Sequence, residues 1–457
     1  MSQVLFDKGE PEQPTPAEAA EAADATTAGG KPRLRVPRRD ERQMRWAALD
    51  DLLEPEHQVR VVWAAVCRLD LGHWLAKIKA VEGHVGRNMT DPRLLVALWV
   101  YATVDGVGSA REVARLCKLH LAYQWLCGGV SVNYHMLSDF RTDNAAAWDD
   151  LLTQIVGSLM AEGLVTMKRV AQDGMRVRAN AGKSSFRRKK SLQACLDEAR
   201  KQVEALKLLD EESPSELTAR QRAARERAAA DRERRLEEAL RHCDELQAER
   251  EETAKKSGRP AKEARASMTD AEARVMQFSD GGYRPGYNVQ LSTDTETGII
   301  GGVEVTNCGS DQEQLPPMLD QFQERYDERP EEALVDGGFA ALDAIDAAAE
   351  KGCTVYAPLK DKAKQQKAGK DPHARKKGDS DAVADWRQRM GTTAAQGLYL
   401  LRCQTAEWVN AVFRNWGLWQ MPVRGQPKAR GVAVLYAITH DLLVGEKLRA
   451  EAAMRSG

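Results

Sequence analysis

The stretch "DQEQLPPMLDQFQERYDERPEEALVDGGFAALDAIDAAAEKGCTVYAPL", residues 311–359, decides the fold. It reads as an amphipathic helix, a strand at "EEALVDG", a helix at "LDAIDAAAEKG" with a glycine stop, and a strand at "CTVYAPL". Helices alternating with strands predict an α/β layer. Within it an apolar run ends on a lone carboxylate, Asp336, and two glycines follow. A buried carboxylate is costly unless it is paired or holds a cation, so Asp336 is either a helix cap or a ligand.

Upstream, "TMKRVAQDGMRVRA" (166–179), "GYNVQLSTD" (286–294) and "GIIGGVEVTNCG" (298–309) alternate with the period of strands. The order is then three strands, helix, strand, helix, strand and a closing set of helices from about Asp385 to Arg455. A meander followed by alternating helices and strands predicts a ribonuclease-H-like mixed sheet over 166–183 and 266–455. The interruption, 184–265, is a helical hairpin: Leu192, Leu196, Ala199, Val203 and Leu206 follow coiled-coil spacing, and Leu236, Leu240, Cys243 and Leu246 form a second stripe. Ser213, Pro214 and Glu216 make a capping-box signature between them. A polar, Lys-rich linker is expected over 361–384. No GxGxxG or Walker loop stands at a strand end, so no nucleotide or other small-molecule cofactor is expected.

From Trp46 to about Val165 the pattern is helical. Thr90 or Asp91 caps a buried helix with Pro92 in its first turn, and short helices joined by tight turns follow, as in helix-turn-helix DNA readers. "SVNYHMLSDFRTDN" sets Asn133, His135, Ser138 and Arg141 on one polar side. The region 45–165 is read as an all-helical DNA-binding domain, and 1–44 as a disordered tail with a basic end. Further basic clusters stand at 186–190 and 362–377, so the formal net charge of -1 conceals local patches fit for phosphate. The eight cysteines show no paired spacing, which argues against a disulfide framework or a zinc site. With no signal-peptide pattern and no apolar run long enough for a span, a cytosolic location without a membrane partner is expected.

Three carboxylates remain to be explained. Asp173 lies mid-strand in "RVAQDGMRV", Asp336 ends a strand, and Glu407 sits on an otherwise apolar helix in "YLLRCQTAEWVNAVFRNWGLW". In the expected fold the strands of Asp173 and Asp336 are neighbours, and the helix of Glu407 crosses their ends. Three carboxylates at one point require a cation, and oxygen donors suit Mg²⁺ or Mn²⁺, two ions together serving phosphodiester transfer. Asp280 and Asp294 read as turn residues, and Asp311 as a helix cap.

The segments "DGMRVRANA", "DGGYRPGYNVQLSTD", "VDGGF" and "YLLRCQTAEWVNAVFRNWGLWQMPVRG" resemble bacterial insertion-sequence transposases of the DDE type, and "TDPRLLVALWVYATVDGVGSAREVARLC" resembles their helical N-terminal domain. The resemblance implies Asp173, Asp336 and Glu407 as the three metal-holding acids. It also matches Tyr399, Arg402, Glu407 and Arg414 to the family's Tyr, Arg, Glu, Lys signature, with Arg414 placing phosphate. Two departures stand out: four residues separate Arg402 from Glu407 where the pattern has three, and Arg414 replaces the lysine. On an α-helix, Arg402 then points away from Glu407. Arg178, Asn180, Arg402 and Arg424 are further candidate DNA contacts. The implied function is metal-dependent cleavage at the element's ends and transfer of the 3′-hydroxyl to target DNA, by a homodimer or higher oligomer on double-stranded DNA, and the implied location is the bacterial nucleoid. A nuclease without joining, or a DNA-binding protein with an inactive catalytic domain, are the alternatives.

Overall fold

The computed structural model describes residues 46–78, 88–212 and 219–456. The tail over 1–44, its basic end and the capping box at Ser213 to Glu216 lie outside the described residues. The chain divides into Met1–Asp51 and Leu52–Gly457, and all elements named below belong to the second unit.

The helical region opens with α1 (Gln58–Cys67) and α2 (Gly72–Leu75), continues through α3 (Pro92–Val104), α4 (Ala110–Leu119), α5 (Leu121–Cys127) and α6 (Tyr134–Thr142), and closes with α7 (Ala145–Ala161). Helix α3 starts where its sequence says it must: Asp91 accepts from the Arg93 N–H at 2.8 Å, and Pro92 occupies the first turn. It is buried on all sides, with Leu94 to Thr103 all in the core.

The mixed sheet contains β1 (Arg169–Arg178), then β4 (Arg274–Gln277), β5 (Tyr283–Asp294), β6 (Ile300–Thr306), β7 (Glu332–Val335) and β8 (Thr354–Tyr356). A separate short pair, β2 (Phe186–Arg187) and β3 (Ala266–Ser267), closes the root of the inserted hairpin. β5 runs antiparallel to β1, β6 and β4, whereas β7 runs parallel to β1, and β8 parallel to β7. Gly286 pairs with Arg178 on one edge and with Arg274 on the other, so β4 and β6 share one side of β5 end to end. The strand β4 was not expected, because four residues with one buried side chain leave little pattern to read.

The hairpin is α8 (Lys189–Glu212) and α9 (Ala219–Ser257). Leu192, Leu196, Ala199, Leu236, Ala239 and Cys243 form its own small core, separate from the main one. Around the sheet pack α10 (Leu315–Tyr326), α11 (Leu342–Glu350), α12 (Lys362–Lys367), α13 (Asp381–Arg389), α14 (Thr393–Arg402) and α15 (Trp408–Asn415). The linker expected over 361–384 is thus partly helical, since α12 lies within it and α13 starts in it. Val383, Ala384 and Trp386 of α13 are buried, and the Trp386 indole donates to the Ala357 carbonyl at 3.1 Å. The last helix, α16 (Gln426–Ser456), is buried without a break from Gly431 to Leu442 and packs on both α7 and β6. It joins the helical region and the sheet over one continuous apolar core. No helix among the described residues is long and apolar enough to cross a membrane.

Candidate active site

The parallel ladder between β1 and β7 ends at the pair Gln172 and Val335. Asp173 and Asp336 are the next residue on each chain, so adjacent strands, about 4.8 Å apart, deliver two carboxylates side by side. Asp336 is not the helix cap, a position held by Ala341. Its Oδ1 instead accepts from the N–H groups of Gly338, at 2.6 Å, and Phe339, at 3.3 Å, closing the turn that leaves the strand. A Cβ on residue 338 would stand 2.7 Å from that same oxygen, which is why glycine follows.

Asp173 is held from three sides. Its Oδ1 pairs with Arg402 Nη2 at 3.0 Å and accepts its neighbour's N–H, from Gly174, at 3.0 Å. Asn410 Nδ2 donates to its Oδ2 at 3.1 Å. Burial pushes the Asp173 carboxyl above its usual range, Arg402 draws it back, and the nearby Asp336 charge adds to the rise. For Arg402, burial opposes the charge, yet Asp173, Tyr399 and Asp336 hold the guanidinium above its ordinary value.

Glu407 enters through the same arginine. Between α14 and α15 the helix loosens into a π-helical segment, Cys403–Glu407, with helical backbone angles at both junctions. Each turn of a π-helix takes an extra residue, so positions five apart share a face. Arg402 therefore does not point away from Glu407, as the spacing suggested; its Nη1 lies 3.8 Å from Glu407 Oε1. The extra residue between them is absorbed by the π turn. Glu407 itself is well exposed, and it reaches Asp173 only through the guanidinium. Accordingly no three His, Cys, Asp or Glu side chains among the described residues cluster tightly enough to hold a metal ion.

Behind Asp173 lies a polar cluster the sequence did not announce. Asp311 Oδ1 accepts from Asn288 Nδ2 at 2.6 Å and Gln290 Nε2 at 2.7 Å, and Oδ2 from Arg176 at 3.3 Å. Asp311 is thus a buried acceptor and not a helix cap. A Cβ on residue 174 would meet Asp311 Oδ1 and Gln290 Nε2 at 2.5 Å, so the glycine beside Asp173 is imposed by this cluster. Asp280 is exposed and paired to Arg284, and Asp294 caps the turn at Glu296 and Thr297, away from the site. Asn410 was also missed; a lone amide on the buried side of α15, between Val409 and Phe413, was its one signal.

The remaining candidates are dispersed. Arg414 lies over the Trp419 ring, 5.8 Å from its centroid, and Arg178 extends from the end of β1 beside the Trp419 carbonyl. Asn180 is half-buried just beyond, and Arg424 is exposed. The Arg424 turn is pinned by Asp270, whose Oδ1 accepts from the Gly425 N–H at 3.1 Å and the Tyr287 hydroxyl at 2.7 Å. In the helical region Asn133 caps α6, with His135 exposed and Ser138 half-buried. Arg141 departs from its expected place on the polar side. It is buried, its guanidinium stacks on Trp99 at 4.1 Å and donates to the Gly108 carbonyl at 2.7 Å, and burial pushes its pKa down to about 10. Its contacts to Trp99 and Gly108 are contacts within the helical region.

Residues 252–442 match the family model described as "Transposase DDE domain", and residues 47–143 the model described as "Transposase domain (DUF772)". The first range contains Asp336, Arg402, Glu407 and Arg414 and leaves Asp173 outside. No curated protein and no solved structure matches the chain. The chain carries, in the order helical region then mixed sheet, the two transposase domains typical of insertion-sequence transposases of the DDE type.

Proposed function

We propose that the chain is a DNA transposase whose sheet domain is ribonuclease-H-like, cleaving at the ends of an insertion sequence and joining the freed 3′-hydroxyl to target DNA. The observation that carries the reading is the convergence of Asp173 and Asp336 at the end of one parallel ladder, with Glu407 tied to Asp173 through Arg402. The strand order, antiparallel through β6, β5 and β1 and parallel through β1, β7 and β8, supports the fold assignment.

The donor set fits a divalent ion in chemistry: three hard carboxylates, one of them pushed toward protonation by burial and a like charge. Asp173, Asp336 and Glu407 would hold Mg²⁺ or Mn²⁺, which when bound supplies activation of a hydroxyl nucleophile and charge neutralisation at phosphorus. The chain's own residues do the rest. The Asp336 turn and the Asp311 cluster fix two carboxylates, Asn410 orients Asp173, and Arg414 and Arg424 stand ready for phosphate. The helical region, with Asn133, His135 and Ser138 at the start of α6, is assigned to recognition of the ends, and a dimer or larger assembly brings two ends together.

The test is incubation of the full chain with a duplex from the gene's flanking DNA, a target plasmid and Mg²⁺ or Mn²⁺. Nicked ends joined to the plasmid support the reading. Cleavage without joining identifies a nuclease, and binding without cleavage an inactive DNA-binding protein.

A further inference from the structure

The root of the hairpin carries a second feature, a cleft of about 810 Å³ between α9, the segment leading into β3, and the edge strand β4. Six of its lining residues are cationic, Lys183, Arg188, Arg250, Lys262, Arg265 and Arg274, against one acid, Glu263. Three of the six are held in place. Arg188 pairs with Glu263 at 3.0 Å, Arg274 with Glu249 at 2.9 Å, and Arg250 donates to the Glu263 carbonyl at 2.8 Å. Lys183, Lys262 and Arg265 are exposed and have no acidic partner among the described residues.

Cations gathered on one wall of a cleft focus a positive potential that raises the local concentration of a polyanion. Tyr283, 56% exposed, adds a hydroxyl to the same wall, a group that donates to phosphate oxygens. The cleft lies beyond the end of the strand that carries Asp173. Lys183 stands five residues after the last residue of β1, Arg178, and Arg176 on that strand donates to the carbonyl of Gly309 in the cleft wall at 2.9 Å. From Asp173 to Arg178 the strand runs five residues, about 17 Å, the axial rise of about five base pairs.

Resting on the reading that the chain acts on DNA, we infer that this cleft is a phosphate-backbone site for duplex DNA flanking the bond presented to Asp173. Lys183, Lys262 and Arg265 make the ionic contacts, and Arg188, Arg250 and Arg274 form the braced wall. The hairpin thereby clamps the duplex at its root, through residues distinct from the end-recognition helices.

The experiment compares the full-length parent with the triple variant Lys183→Ala, Lys262→Ala, Arg265→Ala, using a fluorescent duplex from the gene's flanking DNA. Anisotropy is read over a salt series. Each phosphate contact removed makes the slope of log affinity against log salt shallower by about 1, so the triple variant should lose about 3 from the parental slope with its melting temperature unchanged. A parent that binds DNA and a variant with the parental slope overturn the cleft assignment while leaving the transposase reading intact. A parent that binds no DNA overturns both.

Discussion

Taking the guanidinium away from Asp173 leaves a carboxylate that is 17% exposed, held by one amide and one N–H, beside Asp336. Arg402→Met should therefore cost about 3 kcal/mol at neutral pH, the range for a buried pair that loses one member. The deficit has a defined sign with pH. The Asp173 carboxyl is already raised by burial, and without Arg402 burial and the charges of Asp336 and Asp311 are opposed only by the Gly174 N–H. Below the unfolded value, about 3.9, Asp173 is neutral in both states and the charge penalty vanishes; it grows as pH rises through the elevated folded value. Thermal melts from acid to neutral pH should show the variant's deficit widening, and a deficit constant with pH would remove Asp173 from the account. Gly174→Ala probes the other side of the same residue. Its methyl would collide with Asp311 and Gln290, at a cost of about 1–3 kcal/mol, and would displace Asp173 with the strand. A melting temperature equal to the parent's would show that the cluster yields freely.

The π-helical segment makes the spacing between Arg402 and Glu407 intelligible and can be tested as an element. If Cys403–Glu407 holds one residue more than an α-turn, deleting the exposed Gln404 lets the helix close as α with Arg402 and Glu407 four apart and still on one face. The deletion should keep both parental stability and cleavage. Loss of cleavage, with Glu407 rotated by about 100°, is what a regular helix would give. This is also where the sequence was least legible. The strands of Asp173 and Asp336 could be read because period-2 alternation and an apolar run mark them, and their neighbourhood followed from the fold expected for that order of elements, whereas their parallel pairing is seen only in the structure. The π turn could not, since counting with 3.6 residues per turn sends Arg402 to the wrong face. Arg141 failed for a related reason: on a short polar helix nothing in the spacing shows that Trp99 lies beneath it. The Asp311 cluster brings together residues from β1, β5 and the loop after β6, a convergence that no local pattern contains.

At the scale of the molecule, α16 ties the helical region to the sheet, whereas the hairpin has a core of its own. Separate cores predict separable folding. Replacing the outer hairpin, from Lys201 to Arg235, by a short Gly/Ser bridge should leave a cooperative melt and metal-dependent nicking, while changing oligomer size or the pairing of ends. Collapse of the cooperative melt would mean that the hairpin is part of the catalytic core. The central claim, however, is that the adjacent carboxylates perform chemistry. Asp336 tests it most directly, because its visible structural task, accepting from Gly338 and Phe339, is one an asparagine performs at a cost under about 1 kcal/mol. The decisive measurement is nicking of flanking-DNA duplex by Asp336→Asn over a series of Mg²⁺ and Mn²⁺ concentrations, beside the parent. The account predicts parental melting and DNA binding with cleavage abolished throughout; near-parental cleavage at any concentration would contradict it.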